Sequence, residues 1–310
     1  MNYTTIIKTV ALSVLLLGSA ITAKAQQDPQ YTQYMYNTSV INPAYVGSRD
    51  VLSVFGQYRT QWVGLDGAPK TANISVSTPL GESGLGLGAS FTNDRLGAMD
   101  ENNISIDLSY AIDLNHEYKL AFGLKTTANL LSVDYSKLKI FDSTDPVSQE
   151  NVNNKFTPNI GAGLYLYSDR SYLGVSIPNF LTTDRYDDNQ YTTLRQKAHF
   201  YLMGGYVFDL NPSLKLKPAF LAKAIQGAPL QMDLTANVLI IDKFTLGAAY
   251  RWDAAVSGLV GFQVNDNLFI GYSYDAETSK LSNYNSGSHE IFLRFEIFNY
   301  RTRINAPRFF

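Results

Sequence analysis

The chain has 310 residues, with 25 Lys and Arg against 27 Asp and Glu, for a formal net charge of −2. That balance excludes a binder held by nucleic-acid phosphates or by an anionic membrane surface. The absence of cysteine excludes disulfide staples and thiolate sites. Aromatic residues make up 13% of the chain, led by 21 tyrosines, a composition that suits the aromatic girdles of a membrane wall.

Residues 1–25 read as a signal peptide. Lys8 supplies a positive start, Val10 to Ile21 is apolar but shorter than the roughly 20 residues of a membrane helix, and Ala23-Lys24-Ala25 has the small-x-small form of a cleavage site. The alternative is an uncleaved anchor helix. Residues 26–49 form an aromatic segment in which Tyr31, Tyr34, Met35 and Thr38 stand at helical spacing, which predicts a short amphipathic helix. Asn42-Pro43 would end it, and Gly47 precedes the first strand. So aromatic a stretch is expected inside a barrel as a plug or across its periplasmic mouth, a disordered leader being the bland alternative.

From about residue 50 the chain alternates. Ile104, Ile106, Leu108, Tyr110 and Ile112 fall on one side of 103–113, with Asn103, Ser105, Asp107, Ser109 and Asp113 on the other. Period two marks strands between unlike environments. A long run of them without helical crossovers closes most simply into a barrel, with lipid outside and polar groups inside. The fold class is therefore all-β, a transmembrane antiparallel β-barrel of about fourteen strands spanning 50–298, with a periplasmic tail at 299–310.

The predicted strands are 50–62, 69–79, 84–94, 101–113, 118–132, 157–167, 171–180, 196–209, 213–225, 229–240, 243–253, 255–264, 267–277 and 288–298. Their connections sort by parity. Gly81-Glu82-Ser83, Asn115-His116-Glu117, Ser168-Asp169-Arg170, Leu210-Asn211-Pro212, Ile241-Asp242 and Asn265-Asp266 are tight. The long loops, 133–156, 181–195 and 278–287, all belong to the other set. In such barrels the short turns are periplasmic, which would place both termini in the periplasm of an outer-membrane protein.

Charged residues stand on the inward faces: Lys125, Lys215, Lys217, Lys223, Arg251 and Arg294, with Asp107, Asp233, Asp253, Glu290 and Glu296. Either they pair across adjacent strands in a closed lumen or they line a conductive channel, which strand number alone does not decide. The tail carries Arg301, Arg303 and Arg308 and ends Pro307-Arg308-Phe309-Phe310, fitting either barrel assembly or docking.

Nothing points to catalysis or a cofactor. His116, His199 and His289 have no local partners of a hydrolytic triad. Asp142, Asp145 and Glu150 lack a regular calcium-loop spacing. Gly81, Gly84, Gly86 and Gly88 lack the following helix and lysine of a phosphate loop, and on an inward face glycines instead make room for a plug or a neighbouring chain.

Several blocks together resemble one family. Gln30-Tyr31-Thr32-Gln33-Tyr34-Met35-Tyr36-Asn37, then Ile41-Asn42-Pro43-Ala44-Tyr45-Val46-Gly47, are similar to the N-terminal pattern of the PorP/SprF outer-membrane proteins of Bacteroidetes type IX secretion and gliding motility. Arg59-Thr60-Gln61-Trp62-Val63-Gly64, Gly67-Ala68-Pro69-Lys70-Thr71, Asn179-Phe180-Leu181, Tyr250-Arg251-Trp252-Asp253 and the terminal Pro-Arg-Phe-Phe extend the match. The resemblance implies a non-enzymatic component that supports export or surface anchoring of a partner adhesin through its C-terminal domain. Its expected partners are that cargo, periplasmic lipoproteins of the apparatus and outer-membrane lipid. Tyr31, Tyr34, Met35 and Tyr36, Arg301, Arg303 and Arg308, and Trp62 with the 64–69 and 133–156 loops are the candidate docking elements. The alternative role is a fatty-acid-channel-like transporter of small solutes.

Overall fold

Alternation in the sequence becomes alternation in space. Ile104, Ile106, Leu108 and Tyr110 are exposed while Ser105, Asp107 and Ser109 are buried, so the apolar side chains face outward. A computed structural model describes residues 29–137, 151–181, 183–184 and 195–297. The predicted signal peptide, Asp142, Asp145, Glu150 and the tail with Arg301, Arg303 and Arg308 lie outside the described residues.

The strands are β1 (Leu52–Thr60), β2 (Lys70–Pro79), β3 (Leu85–Leu96), β4 (Met99–Asp113), β5 (Lys119–Val133), β6 (Val152–Tyr167), β7 (Ser171–Ile177), the short pair β8 (Thr183–Asp184) and β9 (Arg195–Gln196), then β10 (His199–Tyr206), β11 (Phe208–Asn211), β12 (Leu214–Ile225), β13 (Gln231–Ile240), β14 (Phe244–Arg251), β15 (Ala255–Gln263), β16 (Leu268–Glu277) and β17 (Ser288–Ile297). Strands adjacent in sequence pair antiparallel from β1 to β7 and from β11 to β17, β1 pairs with β17, and β10 pairs with both β7 and β12. The result is a closed fourteen-strand antiparallel barrel with β11 as one extra strand. Closure pairs β1 with β17 and so leaves neither as a sheet edge, as a wall in lipid requires. Among the described residues no helix is long and apolar enough to cross a membrane.

Three strands depart from the expected limits by more than two residues, the seventh ending at Ile177 rather than 180. The eighth predicted strand is interrupted at Val207, whose side chain is buried and whose N–H donates to Arg170 O at 2.7 Å. The pair Phe208–Leu216 nevertheless continues the register of Gly205–Ala219. β6 begins at Val152 rather than 157, because β5 pairs on past a bulge to reach it through Val133.

The lumen is where charge is handled. Asp233 and Arg251 stand directly opposite each other and meet in two contacts, at 2.9 and 3.1 Å. Asp107 and Lys125, also opposite, are 3.3 Å apart. Arg49 pairs with Glu296 and Lys215 with Asp242. Asp253 departs from the inward set: it is an exposed turn residue with φ 53° between β14 and β15. Arg251→Met is expected to lower stability by about 3 kcal/mol, the cost of leaving a buried partner charge uncompensated. Thermal unfolding in detergent measures it, and adding Asp233→Asn should recover most of the loss.

Candidate functional site: the plugged lumen

Eight strands close around a lumen that side chains fill, and sixteen to eighteen leave a channel; fourteen leave more space than inward side chains occupy. Residues 29–51 take that space. Every residue from Tyr31 to Thr38 is buried. The expected amphipathic helix is accordingly absent. Tyr36 N–H bonds Gln33 O and Asn37 N–H bonds Tyr34 O, tight turns that lead into one helical turn, Thr38–Ile41, and a 3₁₀ turn, Pro43–Tyr45. Amphipathicity needs a continuous wet face, and Tyr31 to Thr38 are buried throughout.

A carboxylate clamp holds its first turn. Glu290, on β17, accepts the backbone N–H groups of Thr32 and Gln33, each at 2.9 Å. Asp275, on β16, accepts the Thr32 hydroxyl at 2.6 Å. Arg59, on β1, bridges both carboxylates, at 2.9 Å to Glu290 and 2.7 Å to Asp275. Lower down, Arg294 donates to Tyr36 O at 2.7 Å and lies over the Tyr36 ring, which stacks on Phe292.

Glycines seat the second half. Gly123 and Gly163 are paired on β5 and β6; a Cβ on Gly123 would lie 2.5 Å from Ala44 Cα, and one on Gly163 would be 3.0 Å from Asn42 Cγ. A Cβ on Gly86 would come within 2.9 Å of Gly47 Cα. Ser109 donates to Val46 O at 2.5 Å and Asn42 Nδ2 to Leu164 O at 2.9 Å. At Gly123 and Gly86 the plug backbone thus lies against the wall backbone, which only glycine permits, while Gly163 makes room for the Asn42 side chain. Gly86 belongs to the glycine run noted in the sequence.

Gln30 reaches Gln231, at the long-loop end of β13, whereas Arg49 reaches Glu296, at the short-turn end of β17. The described chain therefore starts on the long-loop side, crosses the lumen and leaves on the short-turn side. Turn lengths record the strands and not the direction of a segment threaded between them, so their parity does not fix the path of residues 29–51.

Above the plug lies a vestibule of about 1080 Å³, lined among others by Tyr31, Ile41, Trp62, Lys125, Arg251 and Trp252. Of the sequence-predicted docking residues, Tyr31 and Trp62 come together in this lining. Trp62, with φ 48°, donates its indole N–H to Glu277 at 2.8 Å. Tyr34, Met35 and Tyr36 are buried deeper, Tyr34 with its hydroxyl 3.3 Å from Thr235 Oγ1. The three histidines are dispersed: His116 in an exposed turn, His199 buried at the other end of the barrel, and His289 beside Tyr272 at 2.6 Å. Among the described residues no cluster of His, Asp and Glu could hold a metal. Sequence reasoning missed the clamp as a unit. Its signal was present in parity, since Gln57, Arg59 and Gln61, and likewise Ser273 and Asp275, share the inward face.

Comparison with known proteins agrees with this architecture. The CymD monoaromatic hydrocarbon channel is similar in fold, at 11% identity and a TM-score of 0.50, over 90% of this chain and 96% of that one. The outer membrane protein Omp33 of Acinetobacter baumannii aligns over 80% of this chain and 100% of its own, at 6% identity and a TM-score of 0.47. A FadL homologue of Pseudomonas aeruginosa aligns over 84% and 94%, at 12% identity and 0.44. None of the curated proteins matches the chain. The family described as type IX secretion system membrane protein PorP/SprF matches residues 23–295. An outer-membrane barrel carrying that match along nearly its whole length belongs to the PorP/SprF family of type IX secretion membrane proteins.

Proposed function

We propose that the protein is a non-enzymatic partner of the secretion apparatus, supporting export or surface anchoring of an adhesin through that cargo's C-terminal domain. The observation that carries the reading is the sealed lumen in a chain of this family: the plug is bonded to wall strands on opposite sides of the barrel. A barrel so filled offers surfaces, not a conduit, to a large cargo. The short turns face the periplasm in this proposal and the long loops face outward. Arg301, Arg303 and Arg308, which follow β17 in the sequence, are the proposed contacts for lipoproteins of the apparatus. Tyr31 and Trp62 lie on the cargo side, while Tyr34, Met35 and Tyr36 act through the plug they anchor.

The test is gentle extraction of the tagged native protein and identification of what co-purifies, repeated with a chain ending at residue 298. Recovery of a large adhesin or of apparatus lipoproteins by the full chain, and loss of the lipoproteins on truncation, is the expected result. Recovery of the barrel alone, with ion conductance in planar bilayers, would turn the assignment to a solute transporter.

A further inference from the structure

Among the described residues the wall has an interrupted seam between β7 and β10. β7 and β10 pair from Tyr206–Ser171 up to Tyr201–Ser176, and there the ladder stops. Pairing resumes between β8 and β9 at Thr183–Gln196. Residues 177–181 on one side and 197–200 on the other share no ladder. The cause is Pro178. It has no N–H to give, and it takes the chain inward: a Cβ on Gly161, which faces the lumen, would lie 2.7 Å from Pro178 Cα.

Beyond Pro178 the chain bonds to β6 instead of β10. Ile177 pairs with Ala162, but Phe180 N–H reaches Ile160 O at 2.7 Å, so one extra residue is taken up as a bulge. Leu181 is held in both directions by the Asn159 side chain, at 2.9 and 3.1 Å. The seam therefore opens on the β10 side only.

Its position matters more than its existence. Phe180 is level with Ile160, and Phe156 stands further along β6 toward the long-loop end. Phe156, Ile160, Phe180, Leu181 and Phe200 are all exposed. These are lipid-facing side chains, so the interruption sits within the apolar band, where an unzipped seam is costly unless something uses it. On the inside, Pro178, Asn179, Lys197 and His199 line the vestibule. The same gap thus borders lipid on one face and a cavity of about 1080 Å³ on the other.

We propose that this seam is a lateral window through which a single-chain amphiphile with an anionic head enters the vestibule from the membrane. The chain would lie along Leu96, Met99, Leu230 and Met232, which line the cavity. Lys197, at the edge of the window with its ammonium 2.8 Å from Gln226 O, receives the head. The plug forms the floor and blocks passage onward, which makes the vestibule a lipid-binding site and not a route across the membrane. The site shares the vestibule with Tyr31 and Trp62, but entry through the seam does not depend on the partner-docking role.

The chain's lack of cysteine and its two tryptophans make the test clean. Cysteines are placed at Phe180 and Ala198, on the two lips of the window, and joined by a short thiol-reactive bridge that a reductant removes. The protein is studied in nanodiscs of saturated lipid with cis-parinaric acid, a fluorescent fatty acid, as the probe. Trp62 and Trp252 both line the vestibule, so energy transfer from tryptophan to the probe reports its arrival. In the bridged protein the transfer is expected to rise about tenfold more slowly, equivalent to ~1.4 kcal/mol of added barrier, and to recover when the same sample is reduced. Equal rates before and after reduction overturn the proposal, whether the probe enters by the loop end or stays out. Each comparison uses one folded preparation, so misfolding cannot imitate either result.

Discussion

Glu290→Ala is expected to free the first turn of the plug while leaving the barrel wall closed. Glu290 is fully buried and accepts two plug N–H groups and one arm of Arg59. Removing it orphans both amides and leaves Arg59 with the Asp275 carboxylate and the Thr32 hydroxyl. Breaking a buried ion pair costs about 3–5 kcal/mol, and each unmatched buried donor about 1–3 kcal/mol. Water from the adjoining vestibule offsets part of this, so a loss of about 3 kcal/mol is expected. Hydrogen exchange locates it: protection should collapse at Thr32 and Gln33 and persist in the β1–β17 ladder, whose bonds are between backbones. Glu290→Gln keeps an acceptor oxygen and should fall between the two. Arg59→Ala should be worse than either, because it leaves two buried carboxylates facing the same turn. Unchanged protection at Thr32 in Glu290→Ala would mean the clamp does not hold the plug.

The wall was legible because its physics is local. Each strand must alternate to face lipid and lumen, and each tight turn needs its own chemistry, so Ile104 to Ile112 and turns such as Asn115-His116-Glu117 declare themselves within a few residues. The pairs Asp107–Lys125 and Asp233–Arg251 were legible for a related reason, since adjacent antiparallel strands put inward residues opposite each other. The plug was legible as a segment and not as a shape. Its tyrosines said that it must be buried, but a peptide surrounded on all sides shows no periodicity, and the spacing of Tyr31, Tyr34, Met35 and Thr38 imitated a helix. Its direction was invisible, because what fixes it is contact between residues more than two hundred positions apart, as with Thr32 and Glu290. The seam at Pro178 could have drawn notice, since proline within a strand marks a bulge or an edge.

Gly123→Ala is expected to unseat the plug and open the lumen, a large result from one methyl group. Wall stability does not need Gly123: the β4–β5 and β5–β6 ladders are the longest in the barrel, and backbone pairing survives the exchange. What the glycine supplies is clearance. An added Cβ would overlap the backbone of Pro43 and Ala44, coming within 2.5 Å of Ala44 Cα. A side chain in that place could rotate away, but a backbone can only move as a unit. Overpacking typically costs about 1–3 kcal/mol, and here the plug can escape that cost by lifting off the wall. The turn at Asn42–Tyr45 would go with it, since Asn42 is fixed to Leu164 O and lies over Gly163. A fourteen-strand barrel without its filling is wide enough to hold water. The wild type should therefore be silent in planar bilayers and Gly123→Ala should conduct, with both giving the same far-ultraviolet strand signal. Gly258→Ala is the control, because nothing stands within 4 Å of its added methyl. If Gly123→Ala remains silent while folding normally, the glycine pair does not seat the plug, and the clamp at Glu290 alone must keep the lumen shut.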